Sequence, residues 1–291
     1  MLCNLDGFIL IDKISGITSY DIIRKIKRIL KIHNIKTKIG HTGTLDPFAT
    51  GLMIIVFGKY TKLSDYFMTE SKEYTGVLKL GIETDTLDSD GKIINIMDLP
   101  ENFNIDEKTK EFIGEISQIT PKYSSTKYNG TPSYKLARDG IKFEQKMRKV
   151  HVYDLNLSFL DTDKIAFKAT VSKGTYIRQL MYDIARSAGS TGHLIELRRE
   201  RIGSFCIKDS INYNLLDENS LLKNIMTVDE SVFPFPCIDF NMEQYYNYKC
   251  GKPFLIDKED GKYFIKLNGD IISFVEVIKN KINNICVFKN E

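Results

Sequence analysis

The stretch IGHTGTLDPFATGLMIIVFG at 39–58 constrains this chain more than any other. Its second half, Leu52 to Phe57, is uninterruptedly apolar and reads as a buried strand. Its first half is a loop bracketed by Gly40, Gly43 and Gly51 and containing Pro47, so the loop opens at the mouth of a sheet. Pro47 disfavours the helical conformation for the residue before it and so holds Asp46 in extended backbone. The result is a carboxylate in a glycine-punctuated loop that a substrate can approach.

The elements around this loop are mixed. Upstream, Ser19 is a plausible N-cap, and Ile22, Ile23, Ile26, Ile29 and Leu30 follow at helical spacing, with Arg24, Lys25, Lys27, Arg28 and Lys31 on the other side. Downstream, Tyr74 to Ile82 is strand-like, and the turn-rich DTLDSDG leads into Lys92 to Ile96 as a return strand. Residues 104–116 are predicted helical, 151–159 and 165–171 extended, and a helix is expected from Thr175 to about Ser187, stopped by Gly189. Strands and helices without regular βαβ alternation predict an α+β fold. Beyond about Ser231 short apolar runs separated by Gly251, Gly261 and Gly269 predict a small β-rich domain, dividing the chain into 1–232 and 233–291.

Composition supports a folded chain: 42% of the 291 residues are hydrophobic and 27% charged, which is globular usage. Near the N-terminus the apolar run Phe8 to Ile11 is followed at once by Asp12 and Lys13, too short for a signal segment or a membrane span, so a cytoplasmic location is expected. Cys3, Cys206, Cys237, Cys250 and Cys286 form no C-x-x-C pair, which argues for reduced, mostly buried thiols and against zinc or a disulfide framework. The net charge of +3 is small, but the charges are segregated. Seven Lys or Arg and no acid lie between Arg24 and Lys38, whereas nine acids against three lysines lie between Asp85 and Glu115. One face could hold phosphate while another repels it.

The run His41-Thr42-Gly43-Thr44-Leu45-Asp46-Pro47-Phe48-Ala49-Thr50-Gly51, preceded by Gly40, resembles the signature G-H-x-G-x-L-D-P-x-A-x-G of the bacterial TruB family of tRNA pseudouridine synthases. Further stretches resemble the same family in the same order: GFILIDKISGITSYD at 7–21, KEYTGVLKLGIETDTLDSDG at 72–91, PKYSSTKYNGTPSYKLARDG at 121–140, SKGTYIRQL at 172–180 and HLIELRR at 193–199. Ser125 stands where the family pattern usually has alanine.

The resemblance implies a pseudouridine synthase fold built on a mixed, largely antiparallel sheet, followed by a PUA-like RNA-binding domain. It implies isomerisation of uridine at position 55 in the T-loop of tRNA by a stand-alone, monomeric enzyme that needs no cofactor, metal or guide RNA. Asp46 is the implied nucleophile, a role that suits a carboxylate because it is ionised at neutral pH without special tuning. Arg178 is the arginine implied to pair with it, and Tyr74 the ring implied to lie against the uracil, its hydroxyl a candidate for moving the C5 proton. Tyr176 and Leu197 would finish the base pocket, and His41 would fill the space left by the flipped nucleotide. Lys13, Lys62 and the basic helix are candidate phosphate contacts. The DTLDSDG segment is no EF-hand, since the first ligand would fall on Thr86 and the closing glutamate on Met97; it is expected to be a hairpin turn. A Walker motif and a G-x-G-x-x-G are both absent, which gives nucleotide hydrolysis and dinucleotide binding no support.

Overall fold

A computed structural model describes residues 5–124, 126–229, 233–252 and 256–288. Cys3, Ser125 and the expected domain break at 232 lie outside them. The fold is α+β. A ten-stranded mixed sheet runs in the order Ile211–Asn212, Gly7–Lys13, Thr50–Phe57, Gly192–Ile202, Lys72–Leu80, Lys164–Val171, Met147–Asp161, Gly114–Ile119, with Ile39–His41 and Phe205–Cys206 as side branches. Only two of its pairings are parallel, Gly7–Lys13 with Ile211–Asn212 and Thr50–Phe57 with Gly192–Ile202.

The unbroken apolar run at 52–57 follows from burial on both faces of this sheet. Met53, Ile55 and Phe57 point to the face covered by the helices Ser19–Ile32 and Ile177–Ser187, where Ile22, Ile26, Leu30, Leu180 and Ile184 meet them. Leu52, Ile54 and Val56 point to the opposite face. There a second sheet of Cys237–Phe240, Gly261–Leu267, Asp270–Ile278 and Lys281–Val287 contributes Phe264, Phe274 and Cys286 to a shared core with Phe8, Phe67, Phe205 and Phe233. The Phe8 and Phe233 rings meet edge-on with centroids 5.9 Å apart. The C-terminal sheet is therefore joined to the back of the ten-stranded sheet by aromatic packing, with each fully buried ring contributing roughly 1.5–3 kcal/mol.

Several expectations shift in detail. The first helix is capped by Thr18, which exchanges hydrogen bonds with Asp21 in a capping box, and this frees Ser19 for the neighbouring loop. The hairpin after Tyr74 is not made by the long strand. Lys72–Leu80 ends at Gly81, whose φ of +82° turns the chain, and a separate ribbon pairs Ile82–Thr84 with Ile93–Ile96. The predicted helix at 104–116 stops at Phe112, because Gly114 at φ +101° starts the strand Gly114–Ile119. The C-terminal part contains a helix, Met242–Lys249, capped by Asn241. Of the described cysteines only Cys286 is buried. No helix among the described residues is long and apolar enough to cross a membrane.

One row of cross-strand partners crosses the helix-covered face: Lys13 opposite Gly51, Gly51 opposite Arg199, Arg199 opposite Tyr74, Tyr74 opposite Ala169. Gly51 has φ +110°, and a Cβ there would stand 2.3 Å from the Arg199 carbonyl oxygen and 2.5 Å from its nitrogen. Both the close approach and the backbone conformation require glycine. Gly51→Ala is expected to lower unfolding free energy by about 2–5 kcal/mol, from overpacking together with backbone strain. A urea midpoint equal to that of the parent chain contradicts this.

Candidate active site

The loop carrying Asp46 leaves the sheet where Thr50–Phe57 changes partner along one edge. Ile55 to Phe57 pair with Ile39–His41, whereas Thr50 and Gly51 pair with Arg198 and Arg199. The loop is anchored at successive points. The Gly43 carbonyl accepts from Arg199 Nη2 at 3.2 Å, and Ser19 Oγ both donates to the Leu45 carbonyl at 3.0 Å and accepts from the Leu45 amide at 2.9 Å. The Pro47 carbonyl accepts from Lys13 Nζ at 3.0 Å and from the Gly16 amide at 2.9 Å. With its backbone held on both sides, Asp46 keeps a carboxylate that is 35% exposed, open enough for a reactant.

Arg178 meets this carboxylate as a fork, Nε to Oδ2 at 2.9 Å and Nη2 to Oδ1 at 3.2 Å. Its remaining donors reach the Tyr123 carbonyl at 2.9 Å, the Thr86 carbonyl at 2.5 Å and Asp88 Oδ2 at 3.2 Å. Three hydrogen bonds and two ion pairs thus hold the guanidinium, and the side chain is only 4% exposed. The second carboxylate, Asp88, is as buried as the arginine. Burial pushes its carboxyl above the ordinary carboxylate range, while Arg178 and the Thr86 hydroxyl pull it back. A cation in the first turn of the helix Ile177–Ser187 opposes the helix dipole, and the two acids offset that cost.

That helix starts where it does because of a contact invisible in its own sequence. Tyr176, extended at φ −95°, has no side-chain cap; instead Gln118 accepts from the Tyr176 amide at 2.8 Å and donates to its carbonyl at 3.1 Å. The Tyr176 hydroxyl shares a 2.9 Å hydrogen bond with Thr126 Oγ1, which places Thr126 beside the helix start. Tyr74 and Leu197 are buried on the helix-covered face, the first opposite Arg199 and the second opposite Gly76. Arg199 also binds the loop, so Asp46, Tyr74, Tyr176, Leu197 and Arg178 converge on one side of the sheet.

His41 ends the strand Ile39–His41 at the base of the same loop. Burial, helped by the Arg199 charge, lowers its imidazole below the ordinary histidine range and so disfavours the charged ring. Its buried Nδ1 has no hydrogen-bond partner among the described residues.

Two expected phosphate contacts are placed differently. Lys13 is fully buried, and its ammonium donates to the carbonyls of Ile14, Ile17 and Pro47 at 3.0, 2.8 and 3.0 Å, which leaves nothing to offer a phosphate. Burial lowers it to about 8, with Asp46 pulling upward and Arg199 downward. Lys62 is exposed in the turn Gly58–Leu63, at the far end of Thr50–Phe57 from Asp46, roughly 25 Å away at strand rise. It stands by the C-terminal sheet, whose Cys286 Sγ donates to the Lys59 carbonyl at 3.3 Å.

A family model described as TruB family pseudouridylate synthase (N terminal domain) matches residues 27–177. A Clostridium kluyveri protein named tRNA pseudouridine synthase B is 40% identical across 80% of this chain and 79% of its own length. The chain belongs to the TruB family. A Borrelia garinii subsp. bavariensis protein of the same name is 38% identical across 97% of this chain and 99% of its own. Among solved structures, an H/ACA ribonucleoprotein chain bound to a substrate RNA containing 2'-deoxyuridine superposes with a TM-score of 0.71 at 23% identity, covering 98% of this chain and 85% of that one. A chain of a Cbf5-Nop10-Gar1 complex gives 0.69, also at 23% identity, covering 98% of this chain and 84% of that one. At that identity the likeness is one of fold. The TruB match extends through the Asp46 loop and the 120–140 segment to the start of the Arg178 helix.

Asp88, Gln118 and Arg199 were not singled out by sequence. Asp88 is expected to matter because it completes the charge balance around Arg178. Asp88→Asn, which keeps the shape and removes the charge, should slow single-turnover pseudouridine formation about tenfold or more with little change in RNA affinity. An unchanged rate constant contradicts the role.

Proposed function

We propose that this TruB-family chain isomerises uridine to pseudouridine at position 55 in the T-loop of tRNA, without cofactor and without a guide RNA, through Asp46 as nucleophile. The observation that carries the reading is the Asp46–Arg178 fork, in which a half-buried carboxylate is aimed by a buried guanidinium. The relatives named tRNA pseudouridine synthase B supply the substrate class.

The target uridine leaves the loop stack and enters the site, an unstacking that costs a few kcal/mol and is offset by contacts to the flipped base. The flat ring of His41, at the base of the loop, is suited to occupy the vacated position. Asp46 attacks the ribose C1′ or the uracil ring, and the N1–C1′ bond breaks. The base turns against Tyr74, C5 bonds to C1′, the bond to Asp46 is released, and the C5 proton departs to a base for which the Tyr74 hydroxyl is the candidate. Arg178 holds the carboxylate in one rotamer throughout. The neutral Leu197 and the anchored Tyr176 bound the space in which the base turns.

Binding is distributed more widely. The exposed side chains of Arg24, Lys27, Arg28 and Lys31 line one helix whose start is tied to the Asp46 loop through Ser19. A stem leading away from the target loop would meet their charges, reading shape and phosphates and not sequence. The C-terminal sheet, proposed as a PUA-like RNA-binding unit spanning 233–291 of a monomeric cytoplasmic enzyme, lies beside Lys62 and would meet RNA farther from the reacting base.

The purified chain should modify a naked T-arm hairpin, and Asp46→Ala should abolish product while leaving tRNA binding within a few-fold. Product from Asp46→Ala contradicts the nucleophile, and a wild-type chain active only with added guide RNA contradicts the stand-alone reading.

A further inference from the structure

Two adjacent arginines occupy the strand Gly192–Ile202, and alternation sends them to opposite faces of the sheet. Arg198 stays half-exposed and forks onto Asp12, Nη1 to Oδ1 at 3.1 Å and Nη2 to Oδ2 at 2.8 Å. That is an ordinary use of arginine. Arg199 is different. It is the largest fully buried side chain among the described residues, and its guanidinium makes no ion pair with a described carboxylate.

An arginine held this way is expensive, since a buried guanidinium must replace its hydration with protein dipoles. Here the dipoles are carbonyls from both sides of one loop. Nε donates to the Leu52 carbonyl at 2.7 Å and Nη2 to the Gly43 carbonyl at 3.2 Å. Those two carbonyls bracket Asp46 in sequence. The backbone of Arg199 meanwhile pairs with Gly51 on one side and with Tyr74 on the other. A single residue therefore joins the loop of the proposed nucleophile to the strand of the proposed stacking ring. Gly43 and Gly51 are the residues that let the loop come so close: a Cβ on Gly43 would lie 3.5 Å from Arg199 Nη1, and one on Gly51 would enter the Arg199 backbone.

We infer that Arg199 is a positioning residue for the reaction: its guanidinium spans the Gly43 and Leu52 carbonyls and sets the distance between the Asp46 loop and Tyr74. It touches neither base nor ribose. A guanidinium suits the task because its donors diverge from a rigid plane and reach two carbonyls at once, whereas an ammonium is a single donor centre on a flexible stem. The inference rests on Asp46 and Tyr74 acting as proposed above.

The test is single-turnover conversion of a tRNA transcript with enzyme in saturating excess, where the rate constant is independent of the fraction of enzyme that is folded. Arg199→Lys keeps the charge and most of the volume and is expected to fold; its rate constant should fall about tenfold to a hundredfold, with tRNA Kd within about threefold. Arg199→Met should be slower still, and if it does not fold, Arg199→Lys alone decides. A wild-type rate constant for Arg199→Lys overturns the inference, as does a defect confined to tRNA affinity, or one confined to the folded fraction as read by thermal melting. Asp46→Ala in the same assay separates the two claims. If it still turns over, the nucleophile assignment fails; if it is inactive while Arg199→Lys runs at the parental rate, only the role of Arg199 fails.

Discussion

A buried guanidinium facing a carboxylate open to solvent is the contact on which the rest of the site depends. Arg178 can hold Asp46 only because everything else about it is already fixed: two carbonyls and the buried Asp88 occupy its other donors, and Gln118 pins the start of its helix. Removing any of these leaves a buried donor unpaired, at about 1–3 kcal/mol each, or lets the guanidinium rotate away from Asp46. The precision of the exposed group is thus derived from the satisfaction of the buried one.

The same logic extends beneath the loop. Lys13 and Arg199 lie in one row of the sheet floor, both buried, and both give their hydrogen bonds to main-chain carbonyls of the segment that carries Asp46 or of the turn beside it. Positive charge is concentrated under the loop without being exposed to ligand. The exposed positive charge is elsewhere, on the outer side of the helix Ser19–Ile32 and near the C-terminal sheet. Cations that organise the site and cations able to meet phosphate are separate sets, a division that net charge alone conceals.

Much of this is legible in the sequence. Periodicity points to the helix over 19–31 and the buried strand at 52–57, and the family resemblance singles out Asp46, Tyr74, Tyr176, Arg178 and Leu197 as candidates, which the fold gathers on one side of the sheet. What was hidden has one physical cause: side-chain to main-chain bonds between segments distant in sequence leave no local pattern. Ser19 reads as a cap because serine before a helical run usually is one, yet Thr18 took that role and Ser19 bonds Leu45. Lys13 reads as a surface lysine because nothing in IDKISG announces three inward carbonyls. Asp88 sits in a run of turn residues where acids are commonplace. Arg199 carried a weak signal, since neighbouring arginines in a strand must face opposite ways and one of them points at a covered face.

The most direct test of the account is single-turnover conversion by Asp46→Asn, in which the side chain keeps its shape and one acceptor oxygen for Arg178 but loses its charge. With saturating enzyme and a tRNA transcript, the account predicts bound tRNA with normal affinity and no pseudouridine over hours. Pseudouridine appearing at a rate within about a hundredfold of the parent would contradict the carboxylate as the reacting group.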